Sequence, residues 1–363
     1  MIPGDARVYL RPTGFVEAQG DAGGQVLRLA GGLTCFCTIE MIVAVGTQRV
    51  RQTLVPVESL SAEIDMLPSA LAGQARATLA NLTATRPPLA LSTSTIALDR
   101  PQVMGILNVT PDSFSDGGAE DPAARAKAML AAGAALIDVG GESTRPGAEL
   151  VPQQEEIARV RPVIAQLHGA GATLSIDTRK AGVMAAALEA GAAIINDVSA
   201  LTFDDRAAAL VAARGCPVVL MHHQGEPGTM QQDPRYDDVL IEVYDWLAAR
   251  IEAAVAAGID RSKIMIDPGI GFGKTLRHNL AILNGLSLFH GLGCAIMLGV
   301  SRKRSIGTLS GDAPVTQRLG GSIALAVLGI AQGVQLLRVH DVFETVQAVR
   351  VWCGLRDEAL ATL

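Results

Sequence analysis

Two acids, an amide and a lysine, each following its own short apolar run, are the residues of this chain best placed to do chemistry. Asp177 follows the run 172–176, Asn196 follows 192–195, Asp267 follows 263–266, and Lys303 stands just beyond 294–300. Carboxylates accept from N–H groups and a lysine donates to a carbonyl oxygen. The set therefore suits a flat heterocycle rich in both kinds of edge, such as a pterin. A second set, Asn108, Thr144, Arg145, Arg338 and His340, supplies neutral donors and cations with no carboxylate among them. That combination suits a phosphate, and pyrophosphate is its natural passenger. Each residue alone has a plainer explanation. An Asp or Asn after a strand is often a helix cap, and Arg338 with His340 would serve equally in an ion pair with Asp341 or a neighbouring acid.

The elements that must carry these residues repeat eight times. Apolar runs at 103–109, 134–139, 172–176, 192–195, 217–221, 263–266, 294–300 and 334–339 are each followed by an alanine-rich amphipathic stretch: 121–132, 152–169, 179–189, 205–214, 236–257, 276–288, 314–332 and 342–353. Eight strand–helix units predict a (β/α)8 TIM barrel over residues 99–363. An open doubly wound sheet uses the same units, but its dinucleotide-binding form needs a glycine fingerprint in the first turn. Here that turn reads NVTPDSFSDGG. In a barrel the active site lies at the carboxyl ends of the strands. Those ends read Asn108, the loop from Glu142 to Arg145, Asp177, Asn196 with Asp197, His222 with His223, Asp267, Ser301 to Lys303, and Arg338 with His340. Eight polar ends on one face are too many to be helix caps alone.

Two turns, 109–118 and 140–152, are long and rich in Gly, Pro, Ser and Thr, as loops that close over a substrate are. The segment PGIGFGKT (268–275) resembles a phosphate-binding loop but has Pro268 where that motif needs glycine. Its glycines are expected to let the backbone pass close to a flat ring, with Phe272 as a wall.

Residues 1–98 stand outside the repeat. Pieces at 8–10, 25–29 and 33–45 read as short β structure and 58–82 as one or two helices, so a small N-terminal α/β appendage is expected. The 363 residues carry 30 Lys and Arg against 36 Asp and Glu, a net charge of −6, which argues against a nucleic-acid partner. The longest apolar run, 33–45, contains Glu40 and is too short to cross a bilayer. The opening MIPGDAR lacks the pattern of a secretory signal, so a cytoplasmic location is expected. Five scattered cysteines read as buried thiols, and the pair Cys35 and Cys37 lacks the partners of a zinc site.

The stretches MGILNVTPDSFSDGG (104–118), DVGGESTRPGA (138–148), SIDTRK (175–180), INDVSAL (195–201), LMHHQGEPGTMQ (220–231), IDPGIGFGKT (266–275), GVSRKRSIG (299–307) and RVHDV (338–342) together resemble the dihydropteroate synthase family, pterin-binding enzymes on a TIM barrel. The resemblance implies a transferase of folate biosynthesis. It joins (7,8-dihydropterin-6-yl)methyl diphosphate to p-aminobenzoate, and pyrophosphate leaves before the amine attacks. It also implies that Asp177, Asn196, Asp267, Lys303 and Phe272 hold the pterin, and that Asn108, Thr144, Arg145, Arg338 and His340 hold the diphosphate with Mg2+, Asn108 being a ligand of the ion. Catalysis would fall to Asn108, Lys303, Arg338 and His340. The p-aminobenzoate pocket would come from Pro111, Asp112, Ser113, Phe114, Ser143, Pro146 and Arg304. Sulfonamide inhibition and a homodimer are further implications. This chain has Arg304, then Ser305, where many relatives have Ser directly after the lysine, and His223 where Met is frequent. A methyltetrahydrofolate-type corrinoid methyltransferase shares the fold, but it has no use for a pyrophosphate site. A paralogue that binds pterin without catalysis is the non-enzymatic alternative.

Overall fold

The computed structural model describes residues 3–17, 24–91, 94–109, 121–142, 150–225 and 229–361. The chain opens with an antiparallel sheet of β1 (Arg7–Val16), β2 (Leu27–Arg28), β3 (Cys35–Val45) and β4 (Gln48–Pro56), in which β3 is central and pairs with the other three. Helices α1 (Leu60–Asp65) and α2 (Ser69–Thr83) follow. Strand alternation sends Ile39, Met41 and Val43 of β3 into a core with Leu10, Leu60, Leu71 and Leu82. The opposite face, with Tyr9, Ile42 and Ala44, joins the core of the rest of the molecule. Because the sheet is covered on both sides, β3 reads as a nearly continuous apolar run.

A two-stranded hairpin, β5 (Leu89–Ala90) with β6 (Thr95–Ile96), leads into the barrel. Its eight parallel strands are β7 (Gln102–Asn108), β8 (Leu136–Gly140), β9 (Leu174–Asp177), β10 (Ile194–Asp197), β11 (Val218–Met221), β12 (Ile264–Asp267), β13 (Ala295–Leu298) and β14 (Leu336–Val339). They close in sequence order, with β14 pairing back to β7. Around them lie α3 (Pro122–Ala131), α4 (Gln153–Gly169), α5 (Ala181–Ala190), α6 (Ala207–Arg214), α7 (Val239–Ala256), α8 (Leu276–Asn284), α9 (Arg304–Leu309), α10 (Leu319–Ala331) and α11 (Val342–Leu360). The expected (β/α)8 barrel with an N-terminal appendage is the observed architecture. The helical stretch 276–288 is shorter than expected, since Gly285 ends α8 and a 3-10 segment, Leu286–Leu292, replaces its last turn.

Each barrel strand alternates between two environments. Val103, Ile137, Leu174, Ile195 and Leu337 face the helices. Met104, Leu136, Ile194, Val219, Met265, Met297 and Leu336 face the lumen, where they pack with Leu89, Ile96 and Leu98 from the hairpin region. The amino-terminal end of the barrel is thus an apolar plug. Burying one such side chain contributes about 1.5–3 kcal/mol. Alternation carried two residues further up each strand brings Asp138, Asp177, Asn196, Asp267 and Arg338 into the same lumen at the other end. All five cysteines are free, Cys35 and Cys294 buried and the other three partly so. Among the described residues no helix is long and apolar enough to cross a membrane.

Candidate active site

Arg338 organises the carboxyl end of the barrel. Its guanidinium donates from Nε to Asp138 Oδ2 at 2.6 Å and from a terminal nitrogen to Asp177 Oδ2, also at 2.6 Å. Asn196 donates from Nδ2 to the same Asp138 oxygen at 2.9 Å. Four strands, β8, β9, β10 and β14, are thereby tied through one buried network. Three of its acceptors, Asp138 Oδ1, Asp177 Oδ1 and Asn196 Oδ1, are buried without a hydrogen-bond partner. Buried polar atoms are rarely left so. Three such acceptors at one strand-end face are matched by a ligand that presents several N–H groups.

Burial pushes the Asp177 carboxyl up, against the pull of Arg338 and with help from Asp138. For Arg338 burial works against the cation, but Asp138 and Asp177 outweigh it and hold the guanidinium firmly charged. The diphosphate set itself holds no carboxylate, and the pairing matches the plainer alternative of an ion pair with a neighbouring acid. Arg338 sits on two acids, one of them from the pterin set, while Asp341 pairs with Arg302 instead.

On the facing side, Asp267 accepts from the Gly269 N–H at 2.7 Å, and burial raises its pKa. The Lys303 ammonium lies 4.3 Å from the centre of the Phe272 ring, a cation–π contact. Burial lowers its pKa to about 8, while Asp267 and Asp177 pull the other way. His340 completes this rim, its backbone N–H and Nδ1 both within 3.1 Å of Ser301 Oγ. Asn108 ends β7. A methyl group at Gly140 would lie 3.7 Å from Asn108 Oδ1 and 3.8 Å from Asp177 Oδ2, so the two oxygens flank the same point of β8. Arg304 is the exposed first residue of α9. Next to it, Ser305 is buried with its hydroxyl unpartnered. Thr144, Arg145, Ser143, Pro146, Pro111, Asp112, Ser113 and Phe114 lie outside the described residues.

Sequence reasoning missed two participants. Asp138 lies inside an apolar run rather than after it, yet an acid at a lumen-facing position of a strand is itself the signal. Lys274 was also missed, and His222, named as a strand end, was given no partner. Lys274 is fully buried and its ammonium reaches His222 Nδ1 at 2.8 Å, Gly269 O at 3.0 Å and Phe272 O at 3.1 Å. Burial lowers its pKa to about 7. The glycines of this loop take positive φ at Gly269, Gly271 and Gly273. A Cβ would meet His222 O at 1.8 Å from Gly269 and Gln224 O at 2.2 Å from Gly273. What these two glycines require is close approach to the neighbouring loop; only Gly271 faces the Lys303 side chain. Asp197, paired with Asn196 in the sequence reading, points away from the lumen and caps a turn through Ser199 and Leu201.

The family model described as pterin binding enzyme matches residues 104–340. The dihydropteroate synthase of Escherichia coli strain K12 is 47% identical over 263 residues, 71% of this chain and 93% of the relative. The chain belongs to the dihydropteroate synthase family. Two solved members agree in structure. The Yersinia pestis dihydropteroate synthase in complex with a sulfonamide drug superposes with a TM-score of 0.71 at 47% identity, covering 75% of this chain and 100% of that one. The Xanthomonas albilineans dihydropteroate synthase with 4-aminobenzoic acid gives 0.71 at 48%, covering 75% and 99%. Membership sets aside the corrinoid methyltransferase. The appendage of this chain lies outside the span of the family model.

Proposed function

We propose that this chain condenses (7,8-dihydropterin-6-yl)methyl diphosphate with p-aminobenzoate at the carboxyl end of its barrel, giving 7,8-dihydropteroate and pyrophosphate. The observation that carries the proposal is the group of unpartnered buried acceptors on Asp138, Asp177 and Asn196. They match the N–H edge of a pterin, with Lys303 on its carbonyl and Phe272 against its face. Lys303 held over Phe272 is already oriented for that contact.

The C–O bond from the methylene to the diphosphate breaks with its electron pair leaving on pyrophosphate. The amine of p-aminobenzoate then forms the new C–N bond and gives up a proton. Preorganised donors aimed at charge that grows in the transition state are the strongest means of lowering such a barrier. In this reading Arg338, His340, Thr144 and Arg145 supply them, and Asp138 and Asp177 keep Arg338 aimed before substrate arrives. No protein nucleophile is required. In this reading Pro111, Asp112, Ser113, Phe114, Ser143 and Pro146 would meet p-aminobenzoate, and Arg304 would meet its carboxylate.

The donor set fits Mg2+ brought in with the diphosphate. Among the described residues no three His, Cys, Asp or Glu gather as a resident metal site would need. A Mg2+ that keeps its waters and phosphate oxygens takes only one or two protein ligands, and Asn108 Oδ1 offers one. When bound, the ion would neutralise charge on the leaving group. The working form in this reading is a cytoplasmic homodimer. Leu328, Phe343, Val351 and Leu355, all more than half exposed on the last two helices, are the apolar surface that supports it.

The test is turnover by purified protein with Mg2+. Pteroate forms with one pyrophosphate released for each, p-aminobenzoate is required for that turnover, and sulfonamides compete with p-aminobenzoate. Tight pterin binding with no pteroate formed would leave the non-catalytic paralogue standing.

A further inference from the structure

The N-terminal appendage touches the barrel beside the pterin loop, and one contact is directional. Arg49, in β4, forms a two-pronged ion pair with Asp238, Nε to Oδ2 at 2.6 Å and a terminal nitrogen to Oδ1 at 3.3 Å. Both side chains are mostly buried, 27% and 15% exposed. Asp238 is the N-cap of α7, accepting from Leu240 N at 3.1 Å and Ile241 N at 3.3 Å. Immediately upstream, Thr47 donates to Asp237 at 3.4 Å. Residues 229–238 then lead back into the site. Tyr236 donates its hydroxyl to Gly273 O at 2.9 Å, and Gln231 donates to Gly271 O. Gln224 and Arg235 exchange two hydrogen bonds, at 3.1 and 3.2 Å, that close this segment on itself. Between Gly271 and Gly273 lies Phe272, the ring under Lys303.

We propose that Arg49 is a positioning residue for the pterin site: by fixing Asp238 it sets the start of α7, and through Tyr236 and Gln231 it holds the glycine loop that places Phe272 beneath Lys303. An outside unit thus controls an inner wall. The inference deepens the proposed function and rests on the pterin site being where that function places it. Charge is the reason the contact is specific, because a bidentate guanidinium–carboxylate pair fixes direction as well as distance. The appendage also grips α7 further along, where Tyr9 donates to Asp245 at 3.0 Å and Arg7 pairs with the same carboxylate at 3.1 Å. That second grip lies two turns from the loop and offers a control.

In the full chain, Arg49→Gln raises KM for the dihydropterin diphosphate about fivefold and leaves kcat within about twofold. Arg49→Lys recovers part of the loss, since one charged bond to Asp238 survives. Tyr9→Phe, which removes a bond between the same two units, lowers Tm without moving KM. The inference is overturned if Arg49→Gln leaves KM unchanged, or if Tyr9→Phe moves it equally, since either makes Arg49 mere docking. Wild-type turnover measured alongside separates this failure from that of the proposed function: an active wild type with an indifferent Arg49 sinks only the inference.

Discussion

The two ends of the barrel are made of the same eight strands with the same alternation, and they differ in what the lumen-facing positions carry. At the amino end Met104, Leu136, Ile194, Val219, Met265 and Leu336 meet Leu89 and Ile96 in a dry plug. At the carboxyl end the next lumen positions are Asp138, Asp177, Asn196, Asp267 and Arg338. The first arrangement lowers the free energy of the fold. The second costs desolvation that is only partly offset by pairing, since burying charges is expensive even when they meet. Stability is concentrated at one end and chemistry at the other, so damage at each end should read out in a different quantity.

The sharpest way to break that division is Arg338→Ala. Turnover is expected to fall by about 10²–10³, the scale for losing a donor to developing charge, while affinity for a bare pterin measured by calorimetry falls much less. Equal losses would mean that Arg338 only neutralises Asp138 and Asp177. Next in size is Leu89→Ala in the plug. It should cost about 2–5 kcal/mol in denaturant unfolding and leave kcat unchanged; a matching loss of kcat would show that the two ends are not separable.

The smallest effect is a pH profile. Lys303 must be protonated to meet a carbonyl, and burial brings it down to about 8 from an ordinary 10.5. The expected kcat/KM for the pterin substrate therefore falls as pH rises through about 8, and Lys303→Arg carries that limb beyond the assay range. Stability moves the other way. Between about 8 and 10.5 the unfolded chain holds the proton that folded Lys303 has lost, so unfolding becomes harder as pH rises across that window. A flat activity profile to pH 10 would remove Lys303 from the site.

Most of the barrel was legible because a count of eight apolar runs needs no knowledge of packing, and reading the residues at or just past the end of each run named Asp177, Asn196, Asp267, Lys303 and Arg338. What that rule cannot see is a residue one turn of the alternation earlier. Asp138 was hidden inside its run for that reason, although a period-two reading of ALIDVG places it on the lumen side with Leu136. Arg338 shows a different limit. Its type suggested a phosphate, but which acids it meets depends on strands 161 and 200 residues away. Lys274 and His222 are joined across 52 residues, and the glycines of 269–273 answer to carbonyls of another loop. In the appendage, β4 was not anticipated because its polar residues alternate weakly on an edge strand.

The order in which the appendage and its seat are made matters for biogenesis. Tyr9 bonds to Asp245 across 236 residues and Thr34 to Ile330 across 296, so a ribosome has released the first sheet long before the surface it rests on exists. Its own apolar centre, Leu10, Phe36, Ile39 and Leu82, is what allows it to wait. The face bearing Tyr9, Ile42 and Ala44 meanwhile stays open to chaperones or to a neighbouring nascent chain until α7 emerges.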